Sequence, residues 1–499
     1  MSGFRLDELN ALGVDIARLT SDSRAVQPGD TFVAYPGTQA DGRNFIAHAI
    51  ERGANAVIWD AHEFKWSSEW NVPDLAVQDL RHQAGIIADQ VYGHPSQKLW
   101  MVGVTGTNGK TSISHWLAKT FGALGRKSAV LGTVGNGFPG ALQATVNTTP
   151  DALLVHGLLA EYERQGAQTV TMEVSSHALM QGRVNGVNYD VALLTNLTRD
   201  HLDFHGDMQS YAAAKRRLFD WAKLKHAVLN LDDAFGAELA EQLQDASVEV
   251  VGYGLNSESL KLAERLGIRM VYGTLAQMDA QGLIVQLHTS WGAAAMQSKL
   301  IGRFNASNLL GALAVLLASE VDIDDAVREL GLQKAVAGRM QTLGSKNTPA
   351  VVVDYAHTPD ALEKVLNTLR EVTEPFGGKV ICVFGCGGDR DRGKRPMMGT
   401  VASKFADVRI ITNDNPRSEE PRTIIDAIIT GMQGDFQVIE DRAKAITLAI
   451  NKARANDMVL LAGKGHEDYQ EIKGKRQPFS DSEIAHRVLS MWKPEERWQ

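Results

Sequence analysis

The chain has only two cysteines in 499 residues, Cys382 and Cys386. A pair this close inside the apolar "ICVFGCGG" falls far short of a metal-ligand set or a disulfide framework, and reads as two small residues packed at a strand end. Basic excess is missing too. A formal net charge of −8 argues against a general nucleic-acid or membrane-surface binder, because either partner calls for a basic field. No apolar run approaches the ~20 residues that span a bilayer, and "MSGFRLDELNALGVD" has no basic segment ahead of an apolar core. The expectation is a cytoplasmic protein with no nucleic-acid or membrane partner, in which any anionic ligand is held by local donors. Heptads, tandem repeats and low-complexity tracts are absent as well.

What remains is a series of short apolar runs separated by stretches of helical period, the pattern of an α/β fold. At about 150 residues per domain the length suggests three domains. "VYGHPSQK" at 91–98 has the Gly, Pro and polar character of a connection and precedes the apolar strand Leu99 to Val104. A second shift falls at 332–338, "LQKAVAG", after the Ala/Leu-rich helical stretch from Asn308 to Glu320 and before "AVVVDYAH". The expected units are therefore 1–95, 96–334 and 335–499, with a hinge near 332–338.

The Walker phosphate pattern is present only in part. In "LWMVGVTGTNGKTSISHWLAK" the first glycine of the pattern is replaced by Val104, while Gly103 and Gly106 supply backbone freedom nearby. The turn lies between a β-branched strand and a segment with helical spacing. A helix N-terminus in that position offers unpaired N–H groups, Lys110 can reach terminal phosphates, and the Thr111 hydroxyl can ligate Mg²⁺.

A phosphate site needs a cation, so hard ligands are expected at the ends of later strands. "QTVTMEVSSHAL" puts Glu173 near the C-terminal end of a strand, and "YDVALLTNLTRDHLDFHG" follows its strand with Asn196, Asp200, His201, Asp203 and His205. In "MQSYAAAKRRLFDWAK", Lys215 falls on the stripe formed by Tyr211, Leu218 and Phe219. A buried amine there has a lowered pKa, can take up CO₂ as a carbamate, and becomes an anionic metal ligand. The alternative is a lysine whose stem packs while its head reaches solvent.

With "TGTNGKT", "MEVSSHAL", "NLTRDHLDFHG" and "YAAAKRRLF" in this order, the chain resembles the ATP-dependent Mur ligases of bacterial cell-wall synthesis, whose loop departs from the Walker pattern in the same way. The likeness runs through "SDSRAVQPGDTFVAYPGTQADGR", "NTTP", "GRFNASN", "GRM", "DYAHTPDAL", "GCGGDRDRGKRP", "DNPRSEEP" and "AGKGHEDYQ". It implies three α/β domains: an N-terminal domain for the UDP-substrate, a central P-loop-type ATPase domain, and a Rossmann-like C-terminal domain for the amino acid.

Within the family, the Asp414-Asn415-Pro416-Arg417 tetrapeptide resembles the form associated with meso-2,6-diaminopimelate. The implied reaction joins that amino acid to UDP-N-acetylmuramoyl-L-alanyl-D-glutamate through an acyl phosphate. The same ligase acting on L-lysine, and a folylpolyglutamate synthetase-like amide ligase, are the alternatives. A guanidinium can bind the distal carboxylate that lysine lacks.

The resemblance further implies Gly106, Thr107, Asn108, Gly109, Lys110, Thr111, Asn305, Asn308, Arg339 and Asp354 for ATP. Thr111, Glu173, His201 and Lys215, the last as N6-carboxylysine, would serve Mg²⁺. Ser23, Asn147, Thr148, Thr149, Ser175, Gln181 and Arg183 are implied for the UDP-muramoyl-dipeptide. Arg390, Asp414, Asn415, Pro416, Arg417, Gly463 and Glu467 are implied for diaminopimelate. Lys110, Glu173, His201 and Lys215 would form the catalytic group, and a monomer is expected. A GTPase-like switch is disfavoured because "NKARAND" at 451–457 does not fit a guanine-reading segment.

Overall fold

Aliphatic and β-branched runs become fully buried parallel strands, most of them followed by a helix. The computed structural model describes residues 13–37, 40–279, 282–345 and 347–493. Chain contacts divide it into two compact units. One holds residues up to Tyr272 with Thr289–Gly292 and Leu310–Ala326; the other holds Gly273–His288, Ala293–Leu309 and Val327 onward.

The first unit contains two sheets. Leu19–Thr20, Thr31–Ala34, Ala56–Asp60 and Asp74–Val77 pair in that order, all parallel. In the second sheet the parallel order is Arg269–Asp279, which belongs to this unit only as far as Tyr272, then Glu249–Gly254, His226–Asn230, Val191–Leu194, Trp100–Thr105, Thr169–Glu173 and Ser128–Gly132. Two short antiparallel strands, Gly135–Phe138 and Ala141–Gln143, close one edge. Trp100–Thr105 runs between Val191–Leu194 and Thr169–Glu173, so the three stretches singled out for chemistry are next-door strands ending on the same side. An open α/β sheet binds its ligands at that edge.

Local signals set the helices. Asp151 caps Ala152–Arg164 by accepting from the Leu153 and Leu154 amides at 3.1 Å, and Asp207 caps Met208–Arg216 by accepting from the Ser210 amide at 2.7 Å. The latter helix is shorter than its sequence period suggests. After Arg216 the chain tightens: the Leu218 and Phe219 amides bond the Lys215 and Arg216 carbonyls at 3.2 and 2.8 Å, which turns both side chains into the core.

In the second unit the sheet order is Gln341–Leu343, Ala350–Asp354, Met458–Ala462, Val380–Phe384, Val408–Ile411 and Gln437–Val438, parallel except for the first strand. Cys382 and Cys386 are free and buried, as small strand-end residues should be. A separate hairpin, Tyr469–Ile472 with Lys475–Pro478, follows the strand at Met458–Ala462.

Arg442 and Asp481 form a salt bridge with both side chains wholly buried, Nη2 to Oδ2 at 2.6 Å, and Arg442 also donates to the Ala462 carbonyl at 2.9 Å. The pair fastens helices Arg442–Lys452 and Asp481–Ser490 to the end of a strand that carries site residues. Arg442→Met strands the Asp481 carboxylate without its partner, so we expect a loss of about 3–5 kcal/mol, read from urea unfolding. A loss under about 1 kcal/mol would show that the pair contributes little.

Candidate active site

The glycine turn is a conformational necessity. Gly106 has φ +140° and Gly109 φ +88°, and a Cβ on Gly106 would lie 1.8 Å from Thr195 Oγ1. The loop after Leu194 pins the turn from below. Thr195 Oγ1 donates to the Asn108 carbonyl at 2.6 Å, the Thr107 amide to the Asn196 carbonyl at 2.9 Å, and the Asn108 amide to Asn196 Oδ1 at 3.0 Å. Helix Lys110–Ala123 starts directly from the turn, and the Lys110 ammonium folds back to the Gly106 and Thr107 carbonyls, both at 2.9 Å. This places an ammonium and a helix N-terminus at one glycine turn, the donor set an anion requires.

Glu173 closes the floor. Its side chain is wholly buried; Oε2 accepts from Thr111 Oγ1 at 3.0 Å and Thr133 Oγ1 at 3.1 Å, and Oε1 accepts from the Thr133 amide at 2.8 Å. Gly132 leaves room for it, since a Cβ there would sit 2.2 Å from Oε1. Thr133 was not anticipated from sequence. The signal was the Gly-Thr step at the end of strand Ser128–Gly132, the same address as the other site residues.

Lys215 is 1% exposed, which rules out the reading in which its head reaches solvent. Its amine donates to the Gly106 carbonyl at 2.8 Å and lies 4.5 Å from the Tyr211 ring centroid, with no carboxylate salt bridge among the described residues. Burial first, and the nearby Lys110 charge second, hold its pKa well below the ordinary 10.5. Burial also pushes the Tyr211 phenol up to about 12, although the phenol meets Thr107 Oγ1 at 3.3 Å. His201 has the left-handed φ of +53°, and its ring meets those of Tyr211 at 6.2 Å and His177 at 4.8 Å. Glu173, Thr111, the turn, Lys215, Tyr211 and His201 thus form one continuous run of contacts. Among the described residues no group of three or more His, Cys, Asp or Glu is arranged for a metal, so an ion here would depend on Thr111 and Lys215 as well.

Most residues expected for the muramoyl-dipeptide also meet. Thr149 Oγ1 donates to the Glu173 carbonyl at 2.8 Å and accepts from the Ser175 amide at 3.1 Å; Arg183 donates to the Thr149 carbonyl and to Gln181 Oε1, both at 2.9 Å. The Thr148 hydroxyl lies 3.1 Å from Thr133 Oγ1 and donates to it, since the one Thr133 proton goes to Glu173. The Asn147 carbonyl accepts from Thr145 Oγ1 at 3.0 Å. Ser23 is apart from this group, its hydroxyl 3.2 Å from His48 Nδ1 in the N-terminal sheet region.

In the second unit, Asn305 donates to the Ile301 carbonyl at 2.9 Å, and Asn308 is buried one turn further along the same helix. Asp354 ends its strand and accepts from the Met340 and Ala356 amides, each at 2.8 Å. Burial raises its pKa against the opposing Arg339 guanidinium, which lies 5.0 Å over the Tyr355 ring.

The residues expected for the amino acid gather at the C-terminal ends of neighbouring strands. Asp414 lies against Gly463, where a Cβ would come 2.3 Å from Oδ2. Asn415 Nδ2 donates to Glu467 Oε2 at 2.8 Å. Arg417 takes φ +52°, its amide bonded to the Glu471 carbonyl at 3.0 Å, its carbonyl to the Lys473 amide at 2.7 Å and its Nη1 to the Gly388 carbonyl at 2.8 Å. The Pro416 carbonyl faces Gly388, where a Cβ would sit 1.9 Å away. Arg390 is exposed, with Nη1 3.3 Å from the Asp389 carbonyl.

A glycine turn at a central strand end, floored by a buried carboxylate and amine, defines an α/β protein built to handle phosphate. Three family models cover the chain: "Mur ligase family, catalytic domain" at 15–92, "Mur ligase middle domain" at 104–316 and "Mur ligase, glutamate ligase domain" at 338–465. The chain is 52% identical over 489 residues to the UDP-N-acetylmuramoyl-L-alanyl-D-glutamate–2,6-diaminopimelate ligase of Chromobacterium violaceum, covering 97% of this chain and 96% of that one. With the ligase of the same name from Nitrosomonas europaea it shares 49% over 491 residues, 96% and 94% of the two chains. A solved structure of a ligase of that name superposes with a TM-score of 0.69 at 36% identity over 95% of both chains. A MurF ligase of Thermotoga maritima in complex with ADP shares the fold, with a TM-score of 0.63 at 18% identity over 95% of this chain and 98% of that one. The chain belongs to the Mur ligase family.

Two outcomes test the geometry. Gly106→Ala must push Thr195 aside and adopt a disfavoured φ, so nucleotide affinity should fall by at least about tenfold in titration calorimetry; unchanged affinity would remove the turn from the site. Lys215→Met should raise the melting temperature near pH 7 in CO₂-free buffer, by roughly 2–4 °C per kcal/mol relieved. The unfolded chain binds the proton that the folded amine sheds. Wild-type stability therefore rises with pH from the depressed folded value to about 10.5, and the variant's advantage should shrink over the same interval.

Proposed function

We propose that the chain is an ATP-dependent amide ligase that adds meso-2,6-diaminopimelate to UDP-N-acetylmuramoyl-L-alanyl-D-glutamate in peptidoglycan precursor synthesis. The observation that carries the choice of amino acid is that the site residues include one guanidinium, Arg417, and one carboxylate, Glu467, on two strand-end loops that Asn415 joins by its hydrogen bond to Glu467. One cation and one anion, both held by fixed partners, complement a distal centre that bears a carboxylate and an ammonium.

A carboxylate is a poor acyl donor because its leaving group is oxide. In the proposed reaction the D-glutamate side-chain carboxylate takes the γ-phosphoryl of ATP and releases ADP; the amino-acid amine, having lost its proton, then attacks the acyl carbon and phosphate departs. Lys110 and the helix N-terminus offset charge on the transferring group, and the glycine turn lets the backbone approach it. Asn305, Asn308, Arg339 and Asp354 are assigned to the rest of the nucleotide. Ser23, Asn147, Thr148, Thr149, Ser175, Gln181 and Arg183 are assigned to the UDP-muramoyl-dipeptide, with Thr149, Ser175, Gln181 and Arg183 already joined by hydrogen bonds. Arg390, Asp414, Pro416 and Gly463 complete the amino-acid site.

The oxygens of Thr111 and Glu173, with His201, suit Mg²⁺, and Lys215 suits it as a carbamate, because its amine is buried without a carboxylate salt bridge among the described residues and biased toward the neutral form that reacts with CO₂. When bound, the ion neutralises phosphate charge. We assign 1–95 to the UDP-substrate, 96–334 to ATP and 335–499 to the amino acid, in a monomeric cytoplasmic enzyme.

ADP release from purified protein with ATP and UDP-N-acetylmuramoyl-L-alanyl-D-glutamate should depend on meso-diaminopimelate and be far weaker with L-lysine; equal rates would refute the amino-acid assignment while leaving the ligase standing. Arg417→Ala should cost on the order of 10²-fold in kcat/KM for diaminopimelate and little for lysine. Lys215→Ala should abolish activity and regain part of it with added short carboxylic acids. Full activity without them would take Lys215 out of the chemistry.

A further inference from the structure

We infer that Lys464 is a positioning residue for the amino-acid substrate, a buried clamp that holds Asn415 and Glu467 in one arrangement and leaves a single Glu467 oxygen for the substrate's distal ammonium. The inference rests on the ligase reading above and deepens it.

Lys464 follows strand Met458–Ala462 between two glycines in left-handed conformations, Gly463 at φ +115° and Gly465 at φ +55°. The reversal turns its side chain inward, where it is 0% exposed. Its ammonium donates to Glu467 Oε2 at 2.9 Å and Asn415 Oδ1 at 3.1 Å, and lies 5.5 Å from the Tyr469 ring centroid. Both hydrogen-bond partners are residues assigned to the amino acid on other grounds.

The donor and acceptor count gives the clamp its consequence. Asn415 is used on both sides: Nδ2 donates to Glu467 Oε2 at 2.8 Å, and Oδ1 also accepts from the Glu471 amide at 3.0 Å. Its amide therefore cannot flip without losing every bond. Glu467 Oε2 accepts from both Lys464 and Asn415, while Oε1 has no hydrogen-bond partner among the described residues. Without the Lys464 ammonium, two acceptors lose their shared donor and the carboxylate regains rotamer freedom that substrate binding must then remove. An inert structural ion pair would not need partners drawn from two different strand-end loops of one site.

Steady-state ADP release with wild type, Lys464→Met, Lys464→Arg, Glu467→Gln and the Lys464→Met/Glu467→Gln double variant tests this. In Lys464→Met the KM for meso-diaminopimelate should rise about tenfold or more, while those for ATP and the UDP-dipeptide stay within about twofold. The double variant should be no worse than Glu467→Gln alone, because Lys464 acts through Glu467. An unchanged diaminopimelate KM in folded Lys464→Met, or additive losses in the double variant, overturns the inference. If Lys464→Met does not fold by circular dichroism, Lys464→Arg decides: its planar fork cannot reproduce both bonds, and an unchanged KM overturns the inference equally. A wild type that releases no ADP in response to diaminopimelate instead sinks the ligase reading on which the inference stands.

Discussion

A buried lysine amine donating to the carbonyl of Gly106 is the constraint around which the first unit is arranged. An amine in that place is costly, and a protein selected for stability alone would put an apolar residue there. Its position beneath the glycine turn explains the surrounding choices. Gly106 must lack a side chain because Thr195 occupies that space, and Thr195 is there because it holds the Asn108 carbonyl. Tyr211, one turn before Lys215, offers its ring to the amine and its phenol to Thr107. Stability is given up at the point where the proposed function places a reactive nitrogen.

Strand order turns local chemistry into a site. The turn at 106–109, Glu173 and the loop after Leu194 are far apart in sequence, but Trp100–Thr105 lies between Thr169–Glu173 and Val191–Leu194 and all three are parallel. Parallel neighbours end on the same side, so their C-terminal loops meet without any long excursion of the chain. The second unit repeats the device with Val380–Phe384, Val408–Ile411 and Met458–Ala462, whose following loops carry Arg390, Arg417 and Glu467.

This repetition explains what could be read in the sequence. The strand before the glycine turn, the inward face of Lys215 and the strand-end position of Glu173 were all legible, because each depends on periodicity or on neighbours close in sequence. The end of the helix carrying Lys215 is not legible, since apolar spacing continues through Leu218 and Phe219 while the backbone tightens after Arg216. Thr133 and Lys464 escaped notice for a different reason. Thr133 reaches Glu173 across 40 positions, and Lys464, although it also bonds Glu467 three residues on, reaches Asn415 across 49; no local pattern encodes those long-range pairings.

The two ends of the chemistry differ in how rigidity is supplied. Around Glu173 it comes from two hydroxyls and one amide, neutral donors that each bond the carboxylate. Around Arg417 it comes from backbone. A non-glycine residue at φ +52° costs on the order of 1 kcal/mol, yet two bonds to the hairpin, from the Glu471 carbonyl and the Lys473 amide, hold it there. The hairpin itself turns through Lys473 and Gly474, both at positive φ, which sets its register against the Arg417 loop. A guanidinium on a long flexible stem reads a carboxylate well only when its backbone origin is fixed. In the proposed ligase, discrimination between amino acids that differ by one distal carboxylate would therefore rest on a strained peptide and a two-residue turn, as much as on the arginine they carry.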